Sequence, residues 1–241
     1  MGALVVVTGA GRGLGRAVAE ALLADGTAVL AADLDGASLD ALRAAHSDAP
    51  LTTHVADVAD EASVAALAGA ARGGGEVAAV VHCAALVAVT RAPAADIPVE
   101  EFDRVLAVNA RGSWLVGRAF IPLLAETRGS LVLFASETAF TGSQGLSHYV
   151  ASKGAVVSLA RAFAREAAPL GVRVNAIAPG FTDTEGARAI GDPARYDTSA
   201  TPLGRVGQPG DMVGAVRFLI GDGSAFVTGQ TIHVNGGRHV S

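Results

Sequence analysis

The sequence predicts an α/β fold, a doubly wound parallel sheet covered by helices on both faces, forming one domain over residues 1–241. Three observations predict it. Short β-branched runs alternate with longer Ala-rich segments of helical period. The runs are apolar at successive positions, which suits strands buried on both faces. The chain has 241 residues, 51% hydrophobic but only 5% aromatic, enough for one large domain whose core is Ala, Val and Leu. Right-handed crossovers then wind such a chain into an open sheet that binds ligands beyond the carboxyl ends of its strands.

The elements follow in order. "ALVVVT" (3–8) reads as a strand, and "LGRAVAEALLADG" (14–26) as a helix ending at Gly26. Residues 27–33 are a strand, 37–46 a helix, 51–57 a strand, 61–72 a helix and 77–84 a strand. Residues 99–126 read as one long helix containing Asn109 and Gly112. Residues 129–136 are a strand, 148–168 a helix and 172–178 a strand, before a helix near 209–220 and a last strand near 230–234. The least regular stretch, 181–208, is too long for a plain connection in a compact domain and is expected to be a substrate loop.

Composition narrows the partners. The net charge of -5 comes without runs of like charge, so neither nucleic acid nor an anionic membrane is expected. A single cysteine, Cys83, forms no internal disulfide and no thiolate metal site, so no metal is expected and a reducing, cytoplasmic compartment is the simplest reading. The N-terminal apolar run "ALVVVTGAG" is too short and glycine-punctuated for a signal peptide or membrane span.

"TGAGRGLG" (8–15) follows the first strand and opens a helix. Gly9, Gly13 and Gly15 permit a tight turn and close backbone approach, and the helix start offers free N–H groups to a pyrophosphate. Arg12 and Leu14 belong to the same loop. Asp33 ends the second strand, where a carboxylate accepts from ribose hydroxyls and repels a 2′-phosphate, which favours NAD over NADP. Arg12 can pair with such a phosphate or be a solvated loop residue. Asp57, followed by Val58, either accepts from the adenine amino group or belongs to the cap of the next helix.

Tyr149 and Lys153 are four apart on a predicted helix and therefore share a face. An ammonium near the phenol is expected to lower its pKa and make it an acid/base. Ser136 ends a predicted strand, where a hydroxyl can hold a carbonyl or alcohol oxygen. Asn109, a poor helix former, is either a surface or cap residue or an inward anchor for water beside Lys153.

These motifs resemble the short-chain dehydrogenase/reductase family over essentially the whole chain. The resemblance rests on "TGAGRGLG", Asp33, "ADV" (56–58), Asn109, Ser136, "YVASK" (149–153), "NAIAPGFTDT" (175–184) and "VTGQTIHVNGG" (227–237). It implies a seven-stranded Rossmann-type domain, a homotetramer (or dimer), and a catalytic Asn109–Ser136–Tyr149–Lys153 tetrad. Tyr149 is then the proton donor or acceptor, Lys153 also contacts the nicotinamide ribose, Ser136 holds the substrate oxygen, and Asn109 supports a proton relay. Pro179 and Gly180 precede Thr182 and Thr184, which the resemblance brings near the carboxamide and phosphates. Where the family reads Asn-Asn-Ala-Gly beside the adenosine ribose, this chain reads His82-Cys83-Ala84-Ala85. Adjacent strand residues point to opposite faces, so His82 and Cys83 are not expected to form a nucleophile–base pair.

The expected activity is hydride transfer between NAD and a small-to-medium secondary alcohol or its ketone. Three rivals remain: an NADPH-using 3-oxoacyl-[acyl-carrier-protein] reductase, a sugar-nucleotide epimerase or dehydratase, and a silent NAD-sensing binding protein. Glu137, directly after Ser136, either reads a polar or cationic substrate group, or turns to solvent or pairs with an arginine.

Overall fold

The computed structural model describes residues 3–189 and 191–240. Seven strands form one parallel sheet: β1 (Leu4–Thr8), β2 (Ala28–Asp33), β3 (Leu51–Val55), β4 (Val77–His82), β5 (Ser130–Phe134), β6 (Arg173–Pro179) and β7 (Thr231–Val234). Their spatial order is β3-β2-β1-β4-β5-β6-β7. The winding reverses between β1 and β4, which opens a crevice at their carboxyl ends.

The helices are α1 (Gly13–Ala24), α2 (Gly36–Ala45), α3 (Glu61–Gly74), α4 (Val99–Leu106), α5 (Gly112–Thr127), α6 (Thr138–Thr141), α7 (Ser147–Ala167), α8 (Glu185–Arg188) and α9 (Val213–Ile220). Alternate residues of each central strand enter two separate apolar cores. Val6, Val80, Leu131 and Val174 meet α3, α5 and α7 on one face. Val5, Val7, Val81 and Val132 meet α1, α2 and α9 on the other. Burial on both faces explains why the strands read as continuous apolar runs.

The expected boundaries shift in several places. The first helix stops at Ala24, because Gly26, at φ +76°, turns the chain while its N–H donates to Leu23 O at 2.9 Å. The third strand ends at Val55, and the fourth at His82 rather than residue 84. The long helix over 99–126 is not uniform: Ala107–Arg111 form a π-helical turn between α4 and α5. One turn of 3-10 helix, Pro209–Met212, precedes α9. The 181–208 loop carries α8, a 3-10 turn at Pro193–Arg195 and a bridge between Thr182 and Gly207. Residue 190 of that loop lies outside the described residues. No helix among the described residues is long and apolar enough to cross a membrane.

Candidate active site

The glycine loop fills the crevice at the winding reversal. Gly9 has φ +68°, and a methyl there would lie 2.6 Å from the Ala84 backbone nitrogen. A methyl on Gly15 would collide with the Gly9 carbonyl. The loop therefore packs backbone on backbone against Cys83 and Ala84, with no space for side chains. Gly13, at φ +56°, opens α1, whose first turn has neither a side-chain cap nor an acidic residue. Those free N–H groups and the helix dipole suit a phosphate.

Asp33 holds this loop. Its Oδ2 accepts from Gly11 N–H at 2.8 Å and its Oδ1 from Asp35 N–H at 3.0 Å. Arg12 is exposed, and its guanidinium helps hold the Asp35 carboxyl below its usual range, after the stronger hydrogen bonds from Ser38. Leu14 packs into the core beneath.

Asp57 is exposed, and its Oδ1 accepts from Ala59 N–H at 2.8 Å, while the cap of α3 is Asp60. Asp57 nonetheless belongs to the cap region of α3: its N–H donates to Ser63 Oγ at 2.9 Å and its carbonyl accepts from Asp60 N–H at 3.1 Å. Val58 is buried, and Gly112 leaves room for it. Pro179 accepts from Glu137 N–H at 2.9 Å, and Gly180 N–H donates to Val234 O at 3.0 Å. Thr182 Oγ1 donates to Gly180 O at 3.0 Å. Thr184 reaches back over the glycine loop: its Cβ lies 3.5 Å from the position a Gly13 methyl would take. The fit to a dinucleotide is therefore good, with a cradle closed to side chains, uncapped helix amides and a carboxylate at the end of β2.

Cys83 and His82 diverge as adjacent strand residues should. Cys83 packs into the core on the α1 side, and burial pushes its thiol up, away from the reactive thiolate. Ala85 is partly buried in the segment that follows. His82 is buried on the opposite face, its Nδ1 2.7 Å from Thr8 Oγ1. Burial, with the Lys153 charge second, pushes its pKa down to about 3, so the imidazole is neutral. This bond across β1 and β4 supplies side-chain support between the strands.

Ser136, Tyr149 and Lys153 converge beyond the ends of β5 and β6. Ser136 is 8% exposed and accepts from Thr138 N–H at 3.2 Å and Thr138 Oγ1 at 3.0 Å. Tyr149 lies close enough to Ser136 for the serine side chain to draw its phenol pKa down, and it packs with the apolar cluster of Val89, Val105 and Leu146. Lys153 is 3% exposed, with Nζ 5.8 Å from the Tyr149 ring centroid and donating to Phe134 O at 2.7 Å.

The expected drop in the phenol pKa is not what this arrangement produces. Burial pushes Tyr149 up to about 12 against the opposing pull of the Ser136 side chain. The ammonium is tied to a backbone carbonyl rather than to the phenol oxygen. The same burial brings Lys153 down to about 8. Desolvation of both groups outweighs their mutual influence.

Asn109 is buried in the π turn. Its Oδ1 accepts from Leu86 N–H at 2.7 Å, and its Nδ2 donates to Leu86 O at 3.1 Å and Ser152 Oγ at 3.0 Å. Its side chain thus clamps the segment after β4 to α7, next to Lys153 in sequence, with three of its four hydrogen-bonding positions used. Its carbonyl accepts from Ser113 Oγ at 2.6 Å. The surface reading of Asn109 falls.

Glu137 is 6% exposed and does not reach solvent. Arg238 Nε stands 3.8 Å from its Oε1, and Oε2 has no partner. Burial raises its pKa, opposed first by Arg238 and then by Asn235 and His239. Thr138 and the tail residues Asn235, Arg238 and His239 were not singled out from the sequence. The Ser-x-Thr spacing offers a weak signal for Thr138, whereas only the fold brings the tail to Glu137. Among the described residues, no group of three or more His, Cys, Asp or Glu could hold a metal.

Comparison with known proteins agrees with this geometry. A family model described as Enoyl-(Acyl carrier protein) reductase matches residues 9–239. The mouse protein (3R)-3-hydroxyacyl-CoA dehydrogenase is 36% identical, with 98% of this chain and 95% of that protein covered. Galactitol 2-dehydrogenase (L-tagatose-forming) of Cereibacter sphaeroides is also 36% identical, covering 99% and 96%. The solved 3-ketoacyl-(acyl-carrier-protein) reductase of Brucella melitensis, complexed with NADH, superposes with a TM-score of 0.91 at 31% identity, covering 99% of each chain. The glycine loop at the winding reversal, the converging Ser136, Tyr149 and Lys153, and a match spanning nearly the whole length lead to one assignment: this chain belongs to the short-chain dehydrogenase/reductase family of oxidoreductases.

Proposed function

We propose that the protein interconverts a small-to-medium secondary alcohol and its ketone with NAD(H), using Tyr149 as acid/base. The observation that carries this reading is the meeting of three side chains, Ser136, Tyr149 and Lys153, at the same carboxyl edge of the parallel sheet as the uncapped start of α1. When bound, the cofactor supplies the hydride acceptor or donor. Gly9, Arg12, Gly13, Leu14, Gly15, Asp33, Asp57, Val58, Cys83, Ala84, Ala85, Pro179, Gly180, Thr182 and Thr184 would hold it, with Tyr149 and Lys153 at its reactive end. Asp33 opposes a 2′-phosphate by charge, which supports NAD over NADP.

In the oxidative direction Ser136 Oγ holds the alcohol oxygen while the Tyr149 oxygen takes its proton. A phenol near pKa 12 is a reluctant acid/base at neutral pH. The Lys153 charge must therefore bear on it during the reaction, stabilising the phenolate. Asn109 acts by holding the Leu86 segment and α7 in register around that pair.

A second reading, a 3-oxoacyl-[acyl-carrier-protein] reductase using NADPH, is favoured in its reaction by the similarity to the Brucella reductase, and not in its cofactor, since that complex holds NADH. We also propose a homotetramer or dimer, supported by the half-exposed Phe102 and Trp114 on the long helices, and a reducing, cytoplasmic setting, supported by the single buried thiol. The test is a panel of secondary alcohols, ketones and 3-oxoacyl thioesters run with NAD(H) and with NADP(H). Turnover of alcohols or ketones with NAD(H) is expected. Preference for 3-oxoacyl thioesters with NADPH would install the second reading. Tight NADH binding without any turnover would install a silent binding protein.

A further inference from the structure

Resting on that reading, we propose that Thr138 is a positioning residue: it fills both acceptor positions of the Ser136 hydroxyl, so that Ser136 meets the reacting oxygen only as a hydrogen-bond donor and the alcohol proton is left to Tyr149.

The backbone around Ser136 is fixed first. Ala135 N–H donates to Ile177 O at 2.8 Å and Glu137 N–H to Pro179 O at 2.9 Å, which carries the pairing of β5 with β6 past the serine on both sides. The serine carbonyl accepts from Ala139 N–H at 3.1 Å as the chain turns into α6. What remains to be set is the rotation of a buried hydroxyl.

Thr138 sets that rotation. Its N–H lies 3.2 Å and its Oγ1 3.0 Å from Ser136 Oγ, both within hydrogen-bond reach. A hydroxyl has two acceptor positions and one proton to give. The N–H can only donate. The threonine hydroxyl has no other hydrogen-bond partner among the described residues, and donating to Ser136 Oγ satisfies it. Both lone pairs of the serine oxygen are then taken, and its own proton points out of the pair.

The consequence for the reaction follows. In ketone reduction the reacting oxygen gains negative charge and needs donors. In oxidation the same oxygen carries a proton that must leave. A serine with free lone pairs would accept a bond from that alcohol hydrogen and hold it away from Tyr149. A serine whose lone pairs are filled cannot. The alcohol hydrogen is therefore directed to the Tyr149 oxygen, where the phenol O–H bond forms as the alcohol O–H bond breaks. The serine proton stays on serine in both directions.

The test uses the purified full chain, NAD(H) and an alcohol and ketone pair that the wild type turns over. Thr138→Val keeps the shape and loses the hydroxyl. Its kcat is expected to fall by about tenfold, while KM for the ketone and the affinity for NADH stay within about threefold. Thr138→Ser keeps the hydroxyl and should retain kcat within about threefold. Added to Ser136→Ala, Thr138→Val should change kcat by less than about twofold, because it acts only through the serine hydroxyl. An unchanged or higher kcat in Thr138→Val overturns the proposal, since the serine would then be donating to the threonine. An equal loss in Thr138→Ser, or a loss of similar size in the Ser136→Ala background, also overturns it and marks a structural role. If Thr138→Val does not fold, Thr138→Ala takes its place under the same criteria. If the residual rate of Ser136→Ala is below detection, the contrast with Thr138→Ser decides. Each of these outcomes leaves the dehydrogenase reading intact. Failure to turn over any alcohol or ketone overturns the underlying reading and this proposal with it.

Discussion

Lys153 Nζ donates to the carbonyl of Phe134 at 2.7 Å, fastening the middle of α7 to the end of β5. The bond fixes the ammonium beside Ser136 and Tyr149, at the cost of keeping a charge in a dry place. That cost appears as a Lys153 pKa lowered from 10.5 to about 8.

The first prediction concerns stability. Between pH 8 and 10.5 the unfolded chain binds more protons at this lysine than the folded one, so folded stability rises with pH across that window. Below pH 8 the full penalty stands, on the order of 3 kcal/mol. Lys153→Met removes it but leaves the Phe134 carbonyl unpaired, worth about 1–3 kcal/mol. The variant should therefore unfold at a temperature equal to or above the wild type at pH 7. Its relative advantage should shrink by pH 10, measured by thermal denaturation across pH. Its turnover should fall by about a hundredfold or more.

His82 gives a second, at acid pH. Its folded pKa lies near 3 against an ordinary 6.5, so the unfolded chain takes up the proton first. The stability this group supports is present above pH 6.5 and is lost as pH falls toward 3, by about 4 kcal/mol in all. His82→Asn keeps a partner for Thr8 Oγ1 and does not titrate. The loss of melting temperature between pH 6.5 and 4 should be shallower in that variant. Identical acid limbs would contradict the buried neutral imidazole.

The glycine loop gives a third. Gly9→Ala places a methyl 2.6 Å from the Ala84 nitrogen at φ +68°. Neither clash nor backbone can be relieved locally, so a destabilisation of about 1–3 kcal/mol is expected. Because the loop's shape is what suits a phosphate, NADH affinity should fall by about tenfold or more, read by fluorescence titration.

Asp33 gives a fourth. Asp33→Ala removes the charge opposing a 2′-phosphate and leaves Arg12 in place. The kcat/KM ratio of NADH over NADPH should fall by about tenfold or more. An unchanged ratio would mean that preference is set elsewhere, with Asp33 serving only its bonds to Gly11 and Asp35.

The sheet was legible because both faces of its strands are apolar, and strands of that kind alternating with helices have few other ways to pack. Gly9, Asp33, Ser136, Tyr149 and Lys153 were legible because each sits at or just beyond a strand end or at helical spacing. What depends on depth or distant pairing was not. The phenol's direction of shift follows from burial, which the four-residue spacing to Lys153 does not encode. The π turn at Asn109 follows from the clamp on Leu86, a contact between segments far apart in sequence. The approach of Arg238 to Glu137 depends on the chain emerging beyond β7, beside β6 at the sheet edge.

The central claim is that Tyr149 moves the proton, and Tyr149→Phe tests it most directly. Turnover and NADH affinity should be measured on the same folded preparation, with an alcohol or ketone that the wild type accepts. Turnover should fall by about a hundredfold to ten-thousandfold while NADH affinity stays within about threefold, as expected for the loss of an acid/base that the cofactor site does not need for its shape. Turnover comparable to the wild type in that variant would contradict the account.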